Sequence, residues 1–326
     1  MKFANSFKRN RNKYTRKRPR LEEYLKNKKE PAGNCECIYS GRSRHCTTFA
    51  YTNSEVPAYS VHDISRIGSS KKKLSSLIES KIYELGDVPE DMELSDIQVN
   101  QIAVHRRQRP IVDTEGIGKE IKDLKFPLYF FDYETYAPAV PVFDGYSPYQ
   151  RIPFQFSLHI LEKPDTEMKH VEYLHEEMSD PSPHIARLLE KNIGAVGTVI
   201  AWNKSFEAGV NKELGLRMPE HKATMDRINN MLYDLMDVFK KQHYVHPEFK
   251  GSTSIKKVLP ALVPELSYKD LGIKEGGQAS NAWFEMLAKS TPVEKSEQIA
   301  KDLKIYCKLD TYAMYAIWEN LYKMIK

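Results

Sequence analysis

Cysteine is scarce in this chain: four in 326 residues, Cys35, Cys37, Cys46 and Cys307, three of them crowded near the amino end. So sparse and uneven a set excludes the disulfide framework that props up small secreted domains. Long apolar runs are also missing. None approaches the roughly 20 residues that cross a bilayer, and the first residues lack the apolar core of a secretory leader. A cytoplasmic protein with no membrane partner is the expectation. No internal repeat is visible, which excludes a repeat architecture.

Acidic residues are depleted in one segment only. Residues 1–30 carry 12 of the 49 Lys and Arg but 3 of the 44 Asp and Glu, a charge of +9, while the remaining 296 hold 37 basic and 41 acidic residues, or −4. The basic character therefore belongs to the run "KRNRNKYTRKRPR", and the main body is mildly acidic. Such a run is either a solvated, disordered terminus or an arm that holds phosphate backbones without reading sequence. Tyr14 and Phe7 add two stacking surfaces.

The length favours one large domain with appendages or two domains. Residues 1–30 read as a basic, disordered tail. Residues 31–124 read as a cysteine-containing linker and a small helical module, with helices at "KKKLSSLIESKIYEL", "ELSDIQVNQIAVHRR" and "GKEIKDL" broken by "GDVPEDM" and "RPIVD". From residue 125 onward the texture changes. Three strands are expected at "PLYFFDYET", "IPFQFSLHIL" and "EMKHVEYLH", then a helix at "SPHIARLLEKN", a strand at "GTVIAWN" and a helix at "FEAGVNKELGL". "MLYDL" is a short strand or a helix start, and the remainder is helical. The plan is α/β, a mixed sheet flanked by helices.

Within the first strand, Asp132 and Glu134 are two residues apart, so they share one face. Two carboxylates on one buried face repel, and a cation or a proton must neutralise them. "WNKSFEAG" closes the fourth strand with Asn203 and puts Glu207 in the first turn of the next helix, where a carboxylate suits the helix dipole. "IYCKLDTY" places Tyr306 and Asp310 on one helix face. Each motif alone is common. Their ordered combination is not.

That combination resembles the DEDD superfamily of 3′–5′ exonucleases, whose ribonuclease H-like fold gathers four acids around two divalent metals. The resemblance implies that Asp132 and Glu134 form the first motif, Glu207 the second and Asp310 the third. Tyr306 stands at the tyrosine that marks the tyrosine branch; the histidine branch would want His at 305, which is Ile305 here. Glu207 departs from the usual Asp by one methylene. More closely, residues 126–322 look like the bacterial family catalogued as domain of unknown function 2779, through "PLYFFDYETYAPAVPVFDGYSPYQRIPFQFSLHI", "WNKSFEAGV", "GSTSIKKVLPAL" and "YCKLDTYAM".

The resemblance implies a metal-dependent exonuclease acting on single-stranded DNA or RNA. Two hard cations, Mg²⁺ or Mn²⁺, about 4 Å apart, make a nucleophile of water near neutral pH and stabilise the leaving oxygen. Asp132 would bridge them, Glu134 and Asp310 would complete the water-activating site, Glu207 would bind the second metal, and Tyr306 would orient the attacking water. Two other readings stand beside it: a non-catalytic nucleic-acid-binding protein on the same fold, and an endonuclease of that fold. For the nucleic acid itself, Asn203, Arg151, Ser254 and Lys256 are candidate contacts. Ser254 and Lys256 open a helix and hold a phosphate or merely cap it; Arg151 contacts the strand or belongs to an aromatic structural loop. Cys35, Cys37, His45 and Cys46 are a candidate structural-metal set, for Zn²⁺ or as the remnant of an iron–sulfur site, although C-x-C-x₈-C is not a standard finger spacing.

Overall fold

The computed structural model describes residues 35–326 together with Arg18, Pro19, Glu22, Glu23 and Lys26. The reading of residues 1–30 as a disordered tail therefore lies almost wholly outside the described residues. Two compact units are formed, Met1–Asp87 and Val88–Lys326. Among the described residues no helix is long and apolar enough to cross a membrane.

The small unit is built from turns. Short 3₁₀ segments at Glu36–Tyr39, Arg42–Arg44, Val61–Asp63 and Ile67–Ser69 surround helix α1, Lys71–Glu79. Leu74, Leu77 and Ile78 lie at the i, i+3, i+4 spacing of a helical stripe and are buried with Ile38, Phe49, Val61, Ile64 and Ile67. Arg42 ties the turns together, donating to both carboxylate oxygens of Asp63 at 2.9 and 2.6 Å.

The larger unit begins with α2, Asp96–Arg107, opened by a Ser95/Gln98 capping box. Helix α3, Thr114–Ile121, follows, with Asp113 accepting from the Gly116 N–H. Its Ile117 and Ile121 enter the same core as Leu128 and Phe130. Ile111–Val112 pairs antiparallel with Tyr244–Val245. Residues 88–124 thus pack with the α/β body, and the boundary falls at Asp87/Val88, whereas the sequence alone places it at 124/125. An eight-residue helix has too little hydrogen bonding to stand alone, so tertiary burial decides where it belongs.

The sheet has five strands: β1 Leu128–Tyr136, β2 Ile152–Leu161, β3 Lys169–Leu174, β4 Thr198–Ala201 and β5 Leu232–Asp234. "MLYDL" is therefore a strand. The spatial order is β3-β2-β1-β4-β5, antiparallel from β3 to β1 and parallel from β1 to β5. Helices α4 Ser182–Asn192, α5 Ser205–Arg217, α6 Lys222–Asn230, α7 Ile255–Leu262, α8 Gly276–Leu287 and α9 Val293–Ile325 flank it. The chain is thus a mixed α/β fold, as expected.

β1 is buried on both faces, which explains its nearly unbroken aromatic run. Tyr129, Phe131 and Tyr133 face one core with Leu189 and Val210. Leu128 and Phe130 face the other, where Tyr306, Met314, Ile317 and Trp318 of α9 cover them. Period-two alternation carries Asp132 and Glu134 onto this second face. A register shift against β2 falls between Glu134 and Thr135, a bulge that bends the strand end where the carboxylates stand.

Candidate active site

Three segments distant in sequence bring four carboxylates together at the end of β1. Asp132 is half-buried, and Glu134, Glu207 and Asp310 are buried. Carboxylate oxygens of Asp132 and Glu134 and the Cys307 sulfur all lie within 4.8 Å of one another. Burial pushes Asp132 well above its usual range, and the charges of Asp310, Glu134 and Glu207 push it further, while Lys256 opposes them. Glu134 is likewise raised by burial and then by Asp310. Burial takes Glu207 up to about 8, with the charge of Asp234 adding to it. Asp310 reaches about 6, since the Tyr268 hydrogen bond and Lys256 offset part of its burial. The sequence motifs therefore converge as one electrostatically linked set.

Tyr306 sits one helical turn before Asp310 and is buried. Burial, then the charges of Asp310, Glu134 and Asp132, drive its phenol far above the usual tyrosine range, so it stays a neutral donor. The Lys256 ammonium donates to the Tyr306 hydroxyl at 3.4 Å and to the Lys274 carbonyl at 2.5 Å. It lies 5.4 and 5.6 Å from the ring centres of Tyr306 and Tyr268. Of the residues singled out around α7, Lys256 thus joins the site, whereas Ser254 caps the helix through its carbonyl, which accepts from Lys257 and Val258.

Sequence reasoning missed three participants. Tyr268 donates to Asp310 Oδ1 at 2.6 Å and holds that carboxylate in place. Gly276, at the amino end of α8, is close enough that a Cβ there would stand 3.8 Å from Glu134 Oε2. Beside Asp310, buried Thr311 joins Ser157 at 2.7 Å and His159 at 2.8 Å, and Ser157 joins His170 at 3.0 Å. Burial lowers His159 to about 3 and His170 to about 4, so both rings are neutral packing partners. Tyr268, Gly276 and His170 lie outside the quoted motifs, and although Ser157, His159 and Thr311 fall within them, their spacing in the chain does not say that they meet.

The other expected contacts have work inside the protein. Arg151 donates to Glu213 at 2.5 Å and lies 5.3 Å from the Phe206 ring centre, beside Glu207 on α5. Gly209 leaves room for it: a Cβ there would meet the guanidinium at 2.7 Å. Asn203 adopts φ +72°, its N–H donates to Asp234 Oδ1 at 2.9 Å, and its side-chain oxygen accepts from Ser205. Asp234 is further held by Lys240 at 3.2 Å.

Do these residues suit a cation pair? Glu207 Oε2 is buried and has no hydrogen-bond partner among the described residues. A buried acceptor left so is costly, and a cation is the partner an all-oxygen set selects. Asp132, Glu134, Glu207 and Asp310 supply such a set, and burial keeps the adjacent Cys307 a neutral thiol, a poor ligand, so the donor chemistry fits hard divalent ions. In the small unit, Cys35, Cys37 and Cys46 converge, but His45 does not join them. Its Nε2 pairs with the Ser40 carbonyl at 2.8 Å, and its ring stacks on Phe49.

A mixed α/β unit holding three buried carboxylates and a half-buried fourth defines the class. Residues 129–254, which include Asp132, Glu134 and Glu207, match the family described as "Domain of unknown function (DUF2779)", bearing out the resemblance to it over that stretch. The uncharacterized protein UU173 of Ureaplasma parvum is 29% identical over 223 residues, covering 62% of this chain and 32% of its own length. A Mycoplasma pneumoniae protein, "Uncharacterized protein MG366 homolog", is 27% identical over 273 residues, covering 76% and 41%. The chain spans about a third to two fifths of the length of the curated relatives it matches. No solved structure matches it.

Proposed function

We propose that this chain is a metal-dependent 3′–5′ exonuclease of the ribonuclease H-like kind, hydrolysing single-stranded DNA or RNA with two Mg²⁺ or Mn²⁺ ions. One observation carries the reading: Asp132, Glu134, Glu207 and Asp310, from three separate motifs, share one buried site with Tyr306 and Lys256. The mixed five-stranded sheet flanked by helices supports the fold assignment.

In this reading Asp132, Glu134, Glu207 and Asp310 hold the cations. When bound, such ions supply hydroxide near neutral pH and stabilise charge on the leaving oxygen. Tyr268 fixes the Asp310 carboxylate, so that ligand is pre-set. Tyr306, kept protonated by its burial, donates to the attacking water and orients it. Lys256 is a cationic side chain whose charge reaches Asp132, Glu134 and Asp310, and it would pair with the scissile phosphate.

A cleft of about 430 Å³ supports a nucleic-acid partner. Lys256, Lys257, Lys269 and Lys274 line it together with Tyr268, Glu248 and Glu275, so basic residues outnumber acidic ones there. Four lysines leading to a buried acid set suit a phosphodiester backbone passing toward the site.

The test is digestion of 3′-labelled and 5′-labelled single strands of DNA and RNA in Mn²⁺ or EDTA, beside Asp132→Ala. Stepwise release of single nucleotides from the 3′ end, lost in EDTA and in the variant, is the expected result. Cutting of a circular strand would make it an endonuclease instead, and binding without any digestion would make it a non-catalytic reader.

A further inference from the structure

We propose that the small unit carries a second metal centre, a single zinc ion bound by the thiolates of Cys35, Cys37 and Cys46. The Sγ atoms of Cys35 and Cys37 are 2.6 Å apart, those of Cys37 and Cys46 are 3.5 Å apart, and all three lie within 4.8 Å of one another. Non-bonded heavy atoms normally rest roughly 3.5–4 Å apart. The three thiols are free cysteines, so no covalent bond accounts for the closeness. Three thiols converged on one point are the arrangement that a shared soft cation requires.

Rigid turns set the three sulfurs. Cys35 precedes the Glu36–Tyr39 turn, and the carbonyl of Cys37 within it accepts from Ser40 at 2.9 Å. The carbonyl of Cys46 accepts from Phe49 at 3.1 Å, starting the helical turn Phe49–Thr52. Neither segment needs to rearrange for the sulfurs to meet.

Spacing selects one ion over a cluster. Tetrahedral zinc with bonds of about 2.3 Å holds its sulfurs roughly 3.8 Å apart; the 3.5 Å between Cys37 and Cys46 is close to that, and the 2.6 Å between Cys35 and Cys37 opens as the ion enters. An iron–sulfur cluster takes each thiolate on a different iron and spreads them further. Cys46 is exposed, so water can reach the ion, and His45 pairs through Nε2 with the Ser40 carbonyl and stacks on Phe49.

The architecture gives the ion a purpose. Among residues 35–87, regular structure amounts to the nine-residue α1, one four-residue helical turn and short 3₁₀ turns, without a strand. Turn-built units of this size bury too little apolar surface to hold together well, and metals commonly staple them. Thiolates choose zinc over Mg²⁺ and Mn²⁺, so this centre is chemically distinct from the all-oxygen site of the larger unit.

Elemental analysis of the full chain, purified without chelator and dialysed, should find one zinc per chain. Cys307→Ser should keep it, and the triple variant Cys35→Ser, Cys37→Ser, Cys46→Ser should lose it. Unfolding of the triple variant would also lose zinc, so Co²⁺ is titrated into chelator-stripped wild-type chain as a second measurement. Intense sulfur-to-cobalt charge-transfer absorption, abolished by one equivalent of zinc, is expected. Absence of that absorption, zinc kept by the triple variant, or iron with acid-labile sulfide in place of zinc would overturn the proposal. None of these results depends on whether the chain digests nucleic acid.

Discussion

Glu207 is buried in the first turn of α5 with one carboxylate oxygen unpartnered, and its charge adds to the crowd around Asp132. Without metal, protons must do the neutralising. Glu207 rises from its ordinary 4.5 to about 8 and Asp310 from 3.8 to about 6. Between those limits the folded chain holds protons that the unfolded chain has released, so stability falls as pH rises. The contribution is complete below about pH 4 and gone above about pH 8. Thermal melting in EDTA should therefore drop across this window, Mn²⁺ should flatten the drop, and Glu207→Gln should make it shallower. A flat metal-free profile would mean the carboxylates are already neutralised by the protein. The acids and Tyr306 were legible because strand period two and helix spacing four dictate which residues share a face. Tyr268 was not, since "ELSYKDL" has no period, and its hydroxyl meets Asp310 only through the packing of a turn-rich loop against α9.

At the scale of elements, β1 and α9 carry the site, and a polar seam registers one against the sheet. Thr311 on α9 binds Ser157 and His159 on β2, all three buried. Thr311→Val keeps the volume but takes the hydroxyl away from His159 Nδ1 and leaves Ser157 with His170 alone, which should cost about 1–3 kcal/mol of stability. Urea unfolding measures it, and a change near zero would show that the seam is incidental. β1, β2 and α9 were readable from aromatic and apolar runs long enough to outweigh local ambiguity. The placement of α3 was not, because an amphipathic eight-residue helix states that it has a buried face without stating against what; Ile117 and Ile121 find the core under β1. The bulge after Glu134 left no mark either, since the strand pattern runs through it unbroken.

For the whole molecule, the proposed function asks a mildly acidic body to accept a polyanion, and the lysine cleft is where it would do so. Reversing two exposed cleft lysines in Lys269→Glu, Lys274→Glu should weaken single-strand binding several-fold. It should also lower the slope of log affinity against log salt by roughly 0.7 for each phosphate no longer neutralised. Unchanged affinity and slope would move the strand's path elsewhere, the basic run of residues 1–30 being the next place to look. The cleft was illegible in sequence because its lysines come from a helix start and an aperiodic loop. The central claim, that the buried acids are a cation site, is tested most directly by calorimetric titration of the full chain with Mn²⁺ beside Asp132→Asn. Binding of two ions per chain near neutral pH, weakened at least tenfold in the variant, is the predicted result. Equal binding by both proteins, or none by either, would contradict it.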